Sequence, residues 1–275
     1  MALQKVVNSM EIKTSQFIWS VRVCLRLMWR DLVVFRPYFY GRFINSMIWI
    51  IVTTAVFQYI GFGGASENIG LFMVCASIAS AGFFEAMDNV ERFISDLQGR
   101  RSILYVLTLP LPHWMVFFRI AVSNALQGMM IALFILPLSK FLLWNSFHLE
   151  RVAILKFLLI LTLTQLFYGF FSLWLACMVT SLEKIGNVWH RIIFPLWYLG
   201  CYQFTWIALA EKAPAVAYLG LGVNPLIYCI EGTRAAVMGQ EGYLPFWWCC
   251  AALVFFTTLV GTVGTIKMKQ KLDCL

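Results

Sequence analysis

The chain has 275 residues, of which 61% are hydrophobic and 12% are charged, and its mean hydropathy is +0.79. This composition excludes a water-soluble domain and predicts membrane-spanning helices, each of which needs about 20 apolar residues. The formal net charge is +8. The basic residues form no patch with interleaved aromatics outside the apolar runs, so nucleic acid is not an expected partner.

The first 42 residues are predicted to be cytoplasmic and to contain an amphipathic helix. From Phe17 to Leu32, apolar residues recur on one helical stripe and basic residues on another. The second stripe consists of Arg22, Arg26 and Arg30. Three arginines at mid-bilayer would oppose insertion by about 8–10 kcal/mol. We therefore expect an interface helix, after which Pro37 turns the chain into the bilayer.

Six apolar runs follow and predict an all-α polytopic membrane protein with a single transmembrane domain over residues 1–275. The expected spans are about 43–61, 69–87, 114–143, 153–180, 189–209 and 244–266. With the N-terminus inside, fifteen of the 21 Lys and Arg residues fall in cytoplasmic segments and five in outer segments or span ends. This bias predicts that both termini are cytoplasmic.

The polar break at 88–112 predicts a short cytoplasmic helix between two spans. Gly99 is expected to end the preceding helix, and Pro110 and Pro112 to end the short apolar piece that follows. The residues expected to pass force to a soluble partner are Asp96, Gly99, Arg100, Arg101, Ile103, Leu104, Leu107 and Pro110. We call 88–112 the coupling segment.

The long outer segment 210–243 contains short apolar pieces broken by Pro and Gly, none long enough to span a bilayer. Re-entrant or surface-lying short helices are therefore expected. Asn224-Pro225 is typical of a helix start, because Asn caps free amides and Pro suits the first turn. The motif on this helix comprises Asn224, Pro225, Tyr228, Glu231 and Arg234.

These two segments resemble motifs of type-2 ABC exporter permeases. Asn-Pro-Leu-x-Tyr-x-x-Glu-x-x-Arg before the last span is similar to the C-terminal motif of that family. The coupling segment is similar to the family's Glu-x-x-x-Gly-Thr-Leu-Glu region, although Arg100 and Arg101 replace small or acidic positions there. The order of elements agrees along the whole chain: interface helix, two spans, coupling segment, three spans, re-entrant helices, last span.

The resemblance implies a permease subunit that exports a polysaccharide, glycolipid, lipid or drug across a bacterial inner (plasma) membrane. It implies a second copy of the chain and two copies of a separate nucleotide-binding ATPase, which would bind ATP and Mg²⁺ in place of any cofactor here. The coupling segment, the interface helix and the 181–191 loop would contact that ATPase. Membrane lipid is a further expected partner.

Aromatic residues in the fourth and fifth expected spans have two interpretations, packing or the lining of a transport pathway. They are Tyr168, Trp174, Trp197, Tyr198, Tyr202 and Trp206. If they line a pathway, their faces suit sugars or lipid chains. Arg119 likewise has three interpretations: its head reaches the interface, it pairs with Glu85 or Asp88, or it contacts an anionic substrate.

No catalytic or metal site is expected. There is no Walker A pattern, the eight cysteines form no C-x-x-C pair, and the three histidines show no ligand spacing. The chain is therefore not expected to be an enzyme by itself. The alternative function is an ion-coupled secondary transporter or channel, which would need ionisable groups at mid-membrane or broken helices in an internal repeat.

Overall fold

The computed structural model describes residues 2–60, 69–99, 102–109, 111–143, 152–179 and 181–273. Within these ranges the chain is helical with short turns and contains no strand. Five helices there are long and apolar enough to cross a membrane, and a bent pair makes a sixth if it counts as one span. The all-α, multi-pass character expected from composition is therefore confirmed.

The first helix, α1, runs without a break from Ala2 to Ala55 and continues as a π-helical turn over Val56–Ile60. The expectation that Pro37 separates an interface helix from the first span was wrong, because Pro37 lies inside α1. Contacts on both sides of the proline hold the helix together: Asp31 accepts from Arg119, and Arg42 pairs with Glu85. Tertiary anchoring outweighs the local preference of proline for a break.

Four further long helices match four of the expected spans. They are α2 (Ile69–Gln98), α4 (His113–Leu142), α5 (Ile154–Met178) and α11 (Phe246–Asp273). α2 is the most deeply buried of the candidate spans and packs against α4, α5 and α10, while α5 lies between α4 and α11. Short α3 (Ser102–Leu107) connects the α2 and α4 ends of this bundle.

The fifth expected span, 189–209, does not form a continuous helix. After a 3₁₀ turn at Leu182–Lys184 and α6 (Ile185–Val188), a π turn covers Trp189–Ile193 and α7 covers Phe194–Tyr198. Residues 199–205 are not helical, and α8 begins only at Trp206 and ends at Lys212. The span expected at 189–209 is therefore not among the helices of the described residues that are long enough to cross a membrane.

The segment before the last span contains two helices, α9 (Pro214–Val223) and α10 (Pro225–Val237), which meet at 97°. This bend is typical of a broken span or a re-entrant loop. The helix start expected at Asn224-Pro225 is confirmed: the Asn224 side chain accepts the Leu226 N–H at 3.1 Å and donates to the Leu196 carbonyl at 2.7 Å. Every residue of α10 is buried.

Candidate functional site

The coupling segment ends α2 and begins α3 through one side chain, that of Asp96. Its carboxylate accepts the backbone N–H groups of Ser102 (3.2 Å) and Ile103 (2.9 Å) and the Ser102 hydroxyl (2.5 Å). Asp96 therefore caps α3 from the last turn of α2. Gly99 follows that turn as expected, and its N–H donates to the Ser95 carbonyl. Arg100, Arg101 and Pro110 lie outside the described residues.

Helix α3 has a buried side and an exposed side. Val106 is buried in a small cluster with Cys24 of α1 and with Leu111, Met115 and Val116 at the start of α4. Tyr105 points outward and is 71% exposed. The expected coupling residues Ile103, Leu104 and Leu107 are half-buried. The cap and the Val106 cluster together attach α3 to α1, α2 and α4.

The basic stripe on α1 lies on the same end of the bundle. Arg22, Arg26 and Arg30 are exposed, and Arg30 pairs with Asp31 at 3.0 Å. Asp31 also accepts from the buried Arg119 at 2.5 Å. Of the three interpretations of Arg119, a head at the interface and a pairing with Glu85 or Asp88 are therefore both wrong, and its partner is a carboxylate on α1.

Arg42 is the basic partner of those two carboxylates instead. It contacts Glu85 and lies 3.4 Å from Asp88. The recurrence of Glu85 and Asp88 at helical spacing was a visible signal for a pairing, but nothing in the sequence selected Arg42 over Arg119. Three ion pairs among the described residues thus tie α1 to the bundle, two to α2 and one to α4.

A recess of about 240 Å³ lies between α1 and α2, beside the Arg42 cluster. We call it the α1–α2 recess. Its lining combines aromatic faces with small polar side chains: Asn45, Ser46, Trp49, Ser80, Phe84 and Trp189. The buried Ser80 hydroxyl has no hydrogen-bond partner within the described structure. Aromatic faces beside free polar groups suit an amphipathic ligand.

The aromatics proposed from sequence separate into different places. Trp197 packs against Tyr198 and Tyr202, with ring centroids 4.9 and 4.7 Å away, and also against Trp49 and Phe84 of the α1–α2 recess. This group therefore forms the wall behind the recess. Its lining residues Trp49, Phe84 and Trp189 were not singled out as pathway residues, because an interface belt explains isolated tryptophans equally well.

The other three proposed aromatics lie away from the α1–α2 recess. The Tyr168 hydroxyl donates to the Ala79 carbonyl at 2.8 Å, and Trp206 Nε1 donates to the Ala217 carbonyl at 3.2 Å. Both side chains therefore hold helices together. Trp174 lines a separate apolar groove beside α5.

Arg234 and Glu231 form a fully buried pair at 3.3 Å on α10. Arg234 Nη1 donates to the carbonyls of Cys201 (2.7 Å) and Phe204 (3.1 Å), and Nη2 donates to that of Tyr202 (2.7 Å). Residues 199–205 are not helical, so their carbonyls are free of helical hydrogen bonds and three of them accept from the buried guanidinium.

Glu231 is satisfied from two other segments. Its oxygens accept the backbone N–H groups of Trp206 (3.3 Å) and Leu244 (3.2 Å). The Phe72 ring lies 3.4 Å from the Arg234 guanidinium carbon, which adds a cation–π contact from α2. The motif pair therefore joins α2, α10, the 199–206 segment and the start of the last span. This role as a buried junction was not evident from sequence.

Among the described residues no group of three or more His, Cys, Asp or Glu side chains could hold a metal ion. The seven described cysteines are free. A scan against protein-family models found no match to the sequence, and a search of curated proteins found none either.

Proposed function

We propose that the chain is the membrane-spanning permease subunit of an ATP-driven exporter of the type-2 ABC class. The observation that carries this proposal is α3, a short capped helix between two long apolar helices, with one side bound to α1, α2 and α4 and Tyr105 exposed. Such a helix can receive force on its exposed side and transmit it to three membrane helices.

In the proposed assembly, two copies of this chain act with two copies of a separate ATPase in a bacterial inner membrane, with both termini in the cytoplasm. ATP and Mg²⁺ would be held by the ATPase. Closure of the ATPase pair would push on α3. The Asp96 cap would carry the displacement to α2, and the Val106 cluster would carry it to α1 and α4.

The α1–α2 recess supports an amphipathic substrate. Asn45 and Trp49 are exposed in a stretch that lies within an expected span. A polar amide exposed there is costly in lipid and is better placed beside a water-filled pathway. The recess offers Trp49, Phe84 and Trp189 to apolar or sugar faces and the exposed Asn45 amide to polar groups. Polysaccharides, glycolipids, lipids and drugs share this chemistry.

The test is co-expression of the chain with an ATPase domain encoded by a neighbouring gene. We expect the two proteins to co-purify with ATPase activity. The double variant Arg100→Glu, Arg101→Glu reverses two charges in the coupling segment. ATP hydrolysis should continue in this variant, whereas transport should be lost. A chain that purifies alone and never binds an ATPase contradicts the proposal.

A second pair of variants tests the route through α3. Asp96→Ala removes the cap, which should destabilise α3 by about 1 kcal/mol and lower transport per ATP hydrolysed. Glu241→Ala is the control, because Glu241 lies outside the coupling segment, is exposed, and makes no ion pair or hydrogen bond within the described structure. Equal coupling in both variants would remove α3 from the mechanism.

An ion-coupled secondary transporter is the second candidate, and one observation favours it. The buried Glu231–Arg234 pair lies on α10, which meets α9 at a sharp bend. Secondary transporters place buried charges and broken helices at their binding sites in the same way. In proteoliposomes without an ATPase, this candidate predicts gradient-driven transport that Glu231→Gln abolishes. The exporter predicts no transport there.

A further inference from the structure

An apolar groove of about 540 Å³ runs along α5 and shares no lining residue with the α1–α2 recess. We call it the α5 groove. Its walls come mainly from α5, α7, α9 and α11, with further residues from the π turn, α8 and the start of α10. Apolar side chains dominate the lining: Phe167, Phe171, Trp174, Met178, Leu219 and Leu259. The rim residues Leu219, Val223 and Leu259 are 69%, 63% and 46% exposed, so the groove opens onto the outer surface of the bundle.

The length of the groove matches one leaflet of a bilayer. Phe167 and Met178 are eleven residues apart on α5, which corresponds to about 16 Å along the helix. Half of the hydrocarbon core of a bilayer is about 15 Å thick. Because the surrounding solvent in a membrane is lipid, the physical occupant of such an open apolar groove is an acyl chain.

One positive charge, that of Arg191, lines the groove. Arg191 is exposed and makes no ion pair or hydrogen bond within the described residues. It lies on the π turn, which follows α5 in the chain after the Met178 end of that helix. Leu196, five residues later, also lines the groove, and its carbonyl accepts a hydrogen bond from the Asn224 side chain.

The basic C-terminal part of α11 lies at the Met178 end of α5. Lys271 Nζ donates to the Ala176 and Val179 carbonyls at 2.8 and 2.6 Å, next to Met178. The topology predicted from Lys and Arg residues makes this the cytoplasmic end.

We propose that the α5 groove binds an anionic phospholipid of the cytoplasmic leaflet, with one acyl chain along α5 and the headgroup phosphate on Arg191. The exposed guanidinium can donate two hydrogen bonds to phosphate oxygens. The site is distinct from the α1–α2 recess and from α3, and it does not depend on the proposed export function.

Brominated lipids test the site, because Trp174 lies in the groove and bromine quenches tryptophan fluorescence at contact. The full chain is reconstituted in phosphatidylcholine bilayers containing a small fraction of either phosphatidylglycerol or phosphatidylcholine with brominated chains. The signal from the groove is the difference in quenching between the wild type and Trp174→Phe. We expect phosphatidylglycerol to associate about fivefold more strongly than phosphatidylcholine.

Arg191→Gln should abolish this preference and retain the quenching by acyl chains. Arg26→Gln is the matched control, since Arg26 is exposed on α1 and does not line the groove. Native mass spectrometry should find phosphatidylglycerol retained on the wild type and on Arg26→Gln but lost from Arg191→Gln.

Two results would overturn the proposal. Equal quenching of Trp174 by both lipids in the wild type would mean that the groove is open to bulk lipid and has no site. Absence of Trp174 quenching would mean that protein, such as a second copy of the chain, fills the groove.

Discussion

At the residue scale, Arg234 is the side chain on which the non-helical segment 199–205 depends. It binds the carbonyls of Cys201, Tyr202 and Phe204, and Cys201 adopts a left-handed backbone conformation with φ of 63°. A non-glycine residue in that region is held there by its surroundings. The guanidinium supplies that constraint, while the same charge is balanced by Glu231.

The Arg234→Gln variant should therefore have a markedly lower melting temperature than the wild type. It leaves Glu231 buried without its cation and three carbonyls without a donor, which costs about 3–5 kcal/mol in free energy of unfolding. Thermal unfolding in detergent, followed by exposure of buried cysteines to a thiol dye, measures the loss.

Two further variants control this experiment. Adding Glu231→Gln to Arg234→Gln should recover part of the stability, because no uncompensated charge then remains buried. Arg26→Gln on the exposed surface of α1 should be neutral. An Arg234→Gln protein that melts like the wild type would show that the 199–205 segment holds its shape without the network.

At the element scale, the contact between α4 and α5 is set by the absence of a side chain at Gly169. A Cβ there would lie 2.1 Å from the Ala121 carbonyl oxygen of α4. Small residues permit such close approach of backbones, which is how helices associate in lipid without a hydrophobic driving force. The two helices cannot both keep their positions if this space is filled.

Gly169→Ala should lower the free energy of unfolding by at least about 1–3 kcal/mol, because one helix must shift. Gly222→Ala on α9 is the matched control: nothing lies within 4 Å of a Cβ at Gly222, and alanine favours the helix. The melting temperatures of the two variants in the same detergent give the comparison. Equal melting temperatures would mean that α4 and α5 adjust freely at this contact.

At the scale of the whole molecule, the number of membrane crossings determines whether the two termini lie on the same side of the membrane. The five long helices of the described residues would by themselves place the termini on opposite sides, whereas the Lys and Arg bias predicts both in the cytoplasm. An even number requires one more crossing by a broken segment, either 185–212 or the α9–α10 pair. The topology is therefore decided by a part of the chain that contains no long helix.

Cysteine labelling should place the turn between α10 and α11 outside. Glu241 is exposed in that turn, so Glu241→Cys should react with a membrane-impermeant maleimide in intact cells. Glu91 is exposed near the C-terminal end of α2, on the predicted cytoplasmic side. Glu91→Cys should therefore react only after the cells are permeabilised. Reaction of both variants in intact cells, or of neither, would contradict cytoplasmic termini on a six-crossing chain.

Local and additive properties were readable from the sequence. The membrane class and the positions of α2, α4, α5 and α11 follow from runs of apolar residues, because insertion free energy adds along a contiguous helix. The end of α2 at Gly99 and the start of α10 at Asn224-Pro225 follow from the chemistry of helix ends, which needs only neighbouring residues.

Tertiary structure decided what depends on partners distant in sequence. Pro37 stays inside α1 because α2 and α4 hold the helix on both sides of it, and carbonyls of the non-helical segment 199–205 accept from Arg234. The choice of Arg42 for Glu85, the grouping of Trp49 with Phe84 and Trp197, and the position of Trp174 in a separate groove have the same origin. A sequence shows which segments are apolar enough to be buried. The partner of each buried polar or charged group is determined only when the helices pack against one another.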